Sequence, residues 1–457
     1  MRGGRVLSLT GGLCVAWAAA ASPADDAALE RALDAAHGNL VRRFLGADGL
    51  LRGWEGPDPA PEDCAEGRPS YIGWATPVEN APMFTGMWLP AVCARATRSG
   101  KPEDRELAHR LAAGLMKAAS VSDVPGFIAR GTATDGRAHY PYGSSDQTCP
   151  WYLGLYFYLK SGLPTPEEAR AIVAKVREVT ESIAARDWNL PCDGVFAENE
   201  NCGTLRKPGL LYRDTAHYLF CVRAAHEITR DEKWLRFYYD ELMSAPKGCC
   251  MTRLEVMEEG YVVDLRDIRI EPGLLWIYTH QQIMQAELTR LETRPRTKAR
   301  LRKGLLANAR RTGGFLGAAA NAPRVLEKPY SAADWTKFVT WSPQKTHADA
   351  KKVAGTITAE GLRRKHLERN TVTAPLCAAI VAAYARDPAT RAETVRMIAS
   401  FDYAALNLCE FFLAETWRFV DLTADDCLRE RARRDSPASC RPREDIGAGT
   451  CFAIIRA

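Results

Sequence analysis

The feature that most constrains this chain is a repeated unit of two helix-patterned runs joined by a short turn. Apolar residues recur at i, i+3, i+4 and i+7 through long segments, while alternation over strand length is scarce. Helices are expected over 26–45, 79–98, 103–120, 145–161, 165–188, 211–229, 231–245, 272–292, 297–311, 371–386, 389–400 and 407–420. Short turns join several of them: Ser99-Gly100-Lys101-Pro102-Glu103, Ser161-Gly162-Leu163-Pro164-Thr165-Pro166, Thr229-Arg230-Asp231, Thr293-Arg294-Pro295 and Arg386-Asp387-Pro388. Proline at a first helical position removes an orphan amide and Asp or Thr at a cap satisfies one, so these residues mark helix starts.

The turns recur about every 60 to 70 residues, with one interval near 95, and the segments leading into the next pair are long and polar. The expected class is therefore mostly α: an (α/α)6 toroid of six helical hairpins, with inner helices starting near 79, 145, 211, 272, 371 and 407. Its long polar loops would gather on one face and line a cleft. A superhelical solenoid of hairpins is the alternative, disfavoured because the units are long and dissimilar. The chain divides into a signal segment 1–24, a barrel domain 25–420 and a Cys-containing tail 421–457 packed back on the barrel.

Basic MRGGR followed by an apolar run from Val6 to Ala21 reads as an export signal, with cleavage near Ala21 or Ala24. The run is too short to span a bilayer, so a secreted or periplasmic protein without stable membrane insertion is expected. Lys and Arg total 61 against 56 Asp and Glu, a dispersed net charge of +5 that disfavours nucleic-acid binding. Fourteen cysteines suit an oxidising compartment. Disulfide candidates are Cys192 with Cys202, and the cluster Cys409, Cys427, Cys440 and Cys451. Adjacent Cys249 and Cys250 lack a CxxC pair or matching His spacing, no HExxH is present, and neither a metal nor a cofactor is expected.

Polar and aromatic residues collect where the inner helices would begin. Tyr71-Ile72-Gly73-Trp74-Ala75-Thr76-Pro77-Val78-Glu79-Asn80 precedes one helix; Arg130, Asp135, His139, Tyr140, Tyr142, Ser144, Ser145, Asp146 and Gln147 precede or open the next; Tyr212-Arg213-Asp214-Thr215-Ala216-His217-Tyr218 opens a third. Glycosidic cleavage usually needs two facing carboxylates, one protonating the leaving oxygen and one activating water or attacking. Asp146 and Glu79 head neighbouring hairpins and fit that pair, with Asp135 a rival to Glu79 and an ordinary helix cap the competing role for Asp146. Asp214 and His217 share a helix face, and His217 is the third candidate for the chemistry. Sugar rings need aromatic platforms and hydrogen-bonding edges, which Trp74, Asn80, Asp135, His139, Tyr142, Gln147, Trp151 and Tyr212 supply. Arg130 and Arg213 could hold a substrate carboxylate.

Pro125-Gly126-Phe127-Ile128-Ala129-Arg130, then Tyr142-Gly143-Ser144-Ser145-Asp146-Gln147 and a Tyr/Trp-rich helix ending Lys160-Ser161-Gly162, resemble the six-hairpin glycosidase superfamily. So does Thr76-Pro77-Val78-Glu79-Asn80 before Met83-Phe84-Thr85-Gly86-Met87-Trp88. The likeness covers roughly residues 30–420 and is motif-like only in these two blocks. It implies an (α/α)6 barrel in a secreted enzyme acting on glycans, uronic-acid hydrolases included, with Asp146 matching the acidic residue at an inner-helix start. The expected activity is glycoside hydrolysis of a polysaccharide or oligosaccharide. The alternatives are a polysaccharide lyase, with His217 or Tyr212 as base and Arg213 or Asn80 neutralising a uronate, and a non-catalytic glycan-binding protein.

Overall fold

Cap chemistry sets the helix boundaries. Thr165 Oγ1 accepts the Glu168 N–H (3.2 Å) while the Glu168 carboxylate accepts the Thr165 N–H (2.7 Å), a reciprocal box with Pro166 at the first helical position. Asp231 accepts the Lys233 N–H at 2.9 Å and Asp387 the Thr390 N–H at 2.7 Å. Gly100 and Gly162 close their helices at φ of 66° and 75°, a left-handed conformation that a Cβ disfavours.

The computed structural model describes residues 23–196, 198, 200–207, 211–246, 248–263, 275–320, 335–337, 342–355 and 368–428. They are mostly helical: α1 (Pro23–Asn39), α2 (Pro61–Glu66), α3 (Ala81–Ser99), α4 (Pro102–Ala118), α5 (Ser145–Ser161), α6 (Pro166–Ala185), α7 (Tyr212–Thr229), α8 (Glu232–Met243), α9 (Arg253–Glu259), α10 (Leu275–Leu291), α11 (Pro295–Ala320), α12 (347–355), α13 (Ala374–Ala383), α14 (Pro388–Ala399) and α15 (Leu413–Leu428). Among the described residues one antiparallel hairpin pairs β1 (Asn189–Pro191) with β2 (Asn201–Thr204).

Burial separates two kinds of helix. In α3 every residue from Ala81 to Cys93 is buried, and in α13 every residue from Ala374 to Ala382. In α6, by contrast, only the stripe Ile172, Val176, Val179, Thr180 and Ile183 is buried, one face of an amphipathic helix. The packing partners follow. α3, α5, α7, α10, α13 and α15 each pack on the next in that order, and α15 packs on α3. α4 lies on α3 and α5, α6 on α5 and α7, α8 on α7, α11 on α10 and α13, α14 on α13 and α1, and α1 on α15. The α3–α5 crossing is made by two glycines: a Cβ on Gly86 would sit 2.1 Å from the Pro150 carbonyl oxygen, and one on Gly154 would sit 2.9 Å from the Gly86 Cα.

Each of the twelve expected helices has a counterpart within a few residues, except that α1 gives way to a π-helical turn at Leu40, α11 runs on to Ala320, and α15 starts only at Leu413, after a 3-10 turn, and runs to Leu428. α2, α9, α12 and the hairpin were not expected; α2, α9 and the strands are too short to show a period. Residues 1–22 and the tail from 429, with Cys440 and Cys451, lie outside the described residues. Among the described residues no helix is long and apolar enough to cross a membrane.

Candidate functional site

Near the N-terminal ends of the six mutually packed helices, polar side chains meet in pairs, α3 with α5, α7 with α10 and α13 with α15. Asn80, the N-cap of α3, accepts from Gln147 Nε2 of α5 (3.1 Å), and Gln147 Oε1 accepts the Met83 N–H (3.2 Å). Gln147 is fully buried, so the bonds that tie the two helices together also satisfy its amide. Glu79 sits in the preceding turn, its carboxylate accepting N–H groups from Ala75 (3.0 Å) and Asn80 (3.3 Å). Ala75 has φ of 69°, so this turn holds backbone strain beside the carboxylate.

Arg130 lies within the field of both Glu79 and Asp146. It is buried, and its Nη1 donates to the Glu79 carbonyl (2.7 Å) and to Asn80 Oδ1 (3.4 Å), while its Nε has no partner. Both acceptors are neutral, and among the described residues Arg130 forms no ion pair. Burial pulls its pKa down, offset in part by Asp146 and Glu79. A guanidinium stays charged nonetheless, so the site holds a buried cation with open donor positions.

Asp146 is the second residue of α5. The helix has no side-chain cap bond at Ser144, and among the described residues the Asp146 carboxyl accepts no hydrogen bond. Desolvation raises its pKa, with Asp214 adding to the effect and Arg130 and Lys207 opposing it. Lys207 is committed elsewhere, its Nζ bonding Asp214 at 2.6 Å. One turn into α7, His217 is buried with Nε2 unpartnered; His280 of α10 is buried with Nδ1 unpartnered, the two rings 5.9 Å apart. Burial holds His217 well below its ordinary value, with His280 and Lys207 contributing, and pushes His280 down to about 3. Arg369, just before α13, donates to Glu410 at the entry to α15 (Nε, 2.7 Å) and feels Glu79. Thr373 Oγ1 donates to the same carboxylate at 2.8 Å.

The remaining expected contacts separate by environment. Tyr142 is buried with its hydroxyl unpartnered, its ring 4.8 Å from Phe196 and 4.6 Å from His347. His139 bonds Asp193 at 2.5 Å and the Arg137 carbonyl at 2.8 Å; burial alone would lower its pKa, but these acceptors hold it above the ordinary value. Asp135 is exposed, and its carboxylate accepts the N–H groups of Arg137 and Ala138 (both 2.9 Å), which makes it a turn former. Trp151 is fully buried and its indole donates to the Leu115 carbonyl (2.8 Å), so it is a core residue sealed against α4 rather than a sugar platform. Tyr212 is fully buried against α10, donating to Gln282 at 3.5 Å, and the Arg213 carbonyl accepts from the Gln281 side chain. Trp74 is half-buried.

The structure thus gathers Glu79, Asn80, Arg130, Asp146, Gln147 and His217. It adds Lys207, His280, His347, Arg369 and Glu410, which the sequence reading did not single out. Two of these had a signal: Glu410 is an acid at an expected inner-helix start, and Thr279-His280-Gln281-Gln282 is a polar run inside an otherwise apolar helix. No family model, curated protein or solved structure matches the chain.

Proposed function

We propose that the chain is a glycoside hydrolase that cleaves a polysaccharide or oligosaccharide, uronic-acid-containing ones included, on an (α/α)6 toroid exported from the cytoplasm. The toroid reading rests on the packing order from α3 round to α15 and back to α3, each member backed by an outer helix. The observation that carries the activity is Asp146: a carboxyl at an inner-helix start, without a hydrogen-bonded partner among the described residues and with its pKa raised by desolvation. A carboxyl whose pKa is raised by desolvation suits a general acid that gives its proton to the glycosidic oxygen. Glu79, held by Ala75 and Asn80, is the partner that takes a proton from water or attacks the anomeric carbon. Arg130, with open donors and no ion pair among the described residues, supports recognition of a sugar carboxylate.

The lyase reading has one observation in its favour, the neutral His217 and His280 with open nitrogens, since a base must be unprotonated to abstract a proton. The deciding experiment incubates the purified chain with neutral and uronate-rich glycans and reads reducing ends beside the ultraviolet absorbance of a new carbon–carbon double bond. New reducing ends without unsaturation, abolished in Asp146→Asn, are expected. Unsaturated products abolished in His217→Ala would transfer the assignment to a lyase, and silence across a broad panel would favour a binding protein.

A further inference from the structure

We propose that Cys192 and Cys202 are a redox couple whose oxidation to a disulfide clamps the β1–β2 hairpin against the loop entering α5. The inference is independent of the catalytic reading. The ladder pairs Leu190 with Gly203 and Pro191 with Asn201, so Cys202 is the extra residue of a β-bulge. Bulges re-aim side chains, and here the two sulfurs lie 3.1 Å apart with both residues buried. The same sulfur reaches the neighbouring loop: Cys202 Sγ accepts the Gly143 N–H (3.0 Å) and faces the Pro141 carbonyl (3.9 Å), which also accepts the Asp193 N–H (2.9 Å). That loop has no slack, because a Cβ on Gly143 would stand 2.6 Å from the Ile128 carbonyl oxygen. Residues 144–146, the start of α5, follow directly. Fixing the hairpin therefore fixes the wall from which Asp146 projects.

The oxidant is a low-molecular-weight disulfide, such as oxidised glutathione. Cys202 loses its proton, and its thiolate attacks one sulfur of that disulfide and releases one thiolate. Cys192 then loses its proton and attacks the Cys202 sulfur of the mixed disulfide, forming the Cys192–Cys202 bond and releasing the second thiolate. Two protein thiols are oxidised, one small disulfide is reduced to two thiols, and no other reactant is needed. The closed loop is short, so the gain in stability is modest.

The test equilibrates the full chain with oxidised or reduced glutathione, then alkylates, digests without reductant and maps the peptides by mass. Expected is a crosslinked peptide pair carrying Cys192 and Cys202, lighter than the sum of the reduced peptides by two hydrogens, and a melting midpoint a few degrees higher in the oxidised sample. Alkylation of both cysteines after oxidation overturns the couple. So does a crosslink elsewhere in its place, for which Cys149 and Cys221 are the internal control, a second thiol pair in hydrogen-bond contact. A Cys192–Cys202 crosslink with an unchanged midpoint overturns the clamp. Cys202→Ser, if it folds, loses both the crosslinked pair and the redox-dependent shift; the wild-type mapping stands whether or not it folds.

Discussion

The two ends of the same helices treat buried charge in opposite ways. At the C-terminal ends of α3, α5, α10 and α15 a cavity of about 450 Å³ is lined by Phe157, Ile283, Phe419, Lys160, Glu287 and Arg290. There Glu287 is saturated: it accepts from Lys160 (3.2 Å), from Arg290 Nε (2.9 Å) and from the Tyr156 hydroxyl. Burial would raise its pKa, but Lys160 and Arg290 override burial and lower it. At the N-terminal ends, Asp146 has cations near it that do not touch it, burial prevails, and its pKa rises. Both ends hold paired charges, Arg369 with Glu410 and Lys207 with Asp214 at the N-terminal ends; what differs is that Asp146 and Arg130 there have no ion-pair partner among the described residues. A matched buried charge holds helices in register, whereas an unmatched one is a group reserved for something the protein binds.

That contrast is broken most directly by paired substitutions. Asp146→Asn is expected to lower kcat about 10⁴-fold, the upper range for a general acid, while leaving the urea midpoint unchanged or higher. Glu287→Gln is expected to do the reverse, losing about 4 kcal/mol of stability because two cations lose the negative charge that pairs them, with turnover of surviving folded enzyme within about twofold. If Asp146→Asn is the strongly destabilised variant, then Asp146 is a structural cap and the contrast collapses. Urea titration and steady-state kinetics on both variants settle the matter.

How far the sequence reached differs between fold and site. Helices were legible because a 3.6-residue period over four or five turns is redundant: losing Pro90 or Pro150 to the pattern leaves the rest of α3 or α5 intact. Glu79 and Asp146 were legible because they sit at helix starts, and Arg130 because it lies in the polar segment leading into one. Trp151 was not, since its type says nothing of which side of α5 it faces; burial against α4 and a bond to Leu115 decided that. The pairing of His217 with His280 was equally hidden, because two helices far apart in sequence must be packed before their imidazoles meet. Asp135 shows the converse, a residue whose Asp-Gly dipeptide already announced a turn.

Arg130 sharpens the contrast from the cationic side. With Nε open and only neutral acceptors on Nη1, its charge is available to an anionic ligand. Arg130→Gln keeps a donor for the Glu79 carbonyl but removes the charge. KM for a uronate-containing glycan is expected to rise about a hundredfold, close to 3 kcal/mol, with KM for a neutral glycan little changed. Equal losses on both substrates would mean that Arg130 organises Glu79 and Asn80 rather than reading charge.

The smallest effect concerns pH and sets two kinds of histidine against each other. His280 is neutral in the fold with its pKa near 3, against 6.5 when free. Below about 6.5 the unfolded chain takes up a proton that the folded chain refuses, so this histidine's stabilising contribution is whole above that value and drains away as pH falls towards 3. Between pH 7 and pH 5 the loss is about 2 kcal/mol. His139 runs the other way: Asp193 holds its folded pKa above 6.5, so its contribution is whole below that value and is lost as pH rises through the folded one. His280→Gln should therefore reduce the acid-side fall of the urea midpoint, while His139→Gln should steepen it by removing the group that gains on acidification. Parallel pH profiles for His280→Gln and wild type would show that the His280 ring is met in the folded protein after all, by water or by a group that protonates with it, and the N-terminal ends of the helices would then be as fully matched as the C-terminal ends.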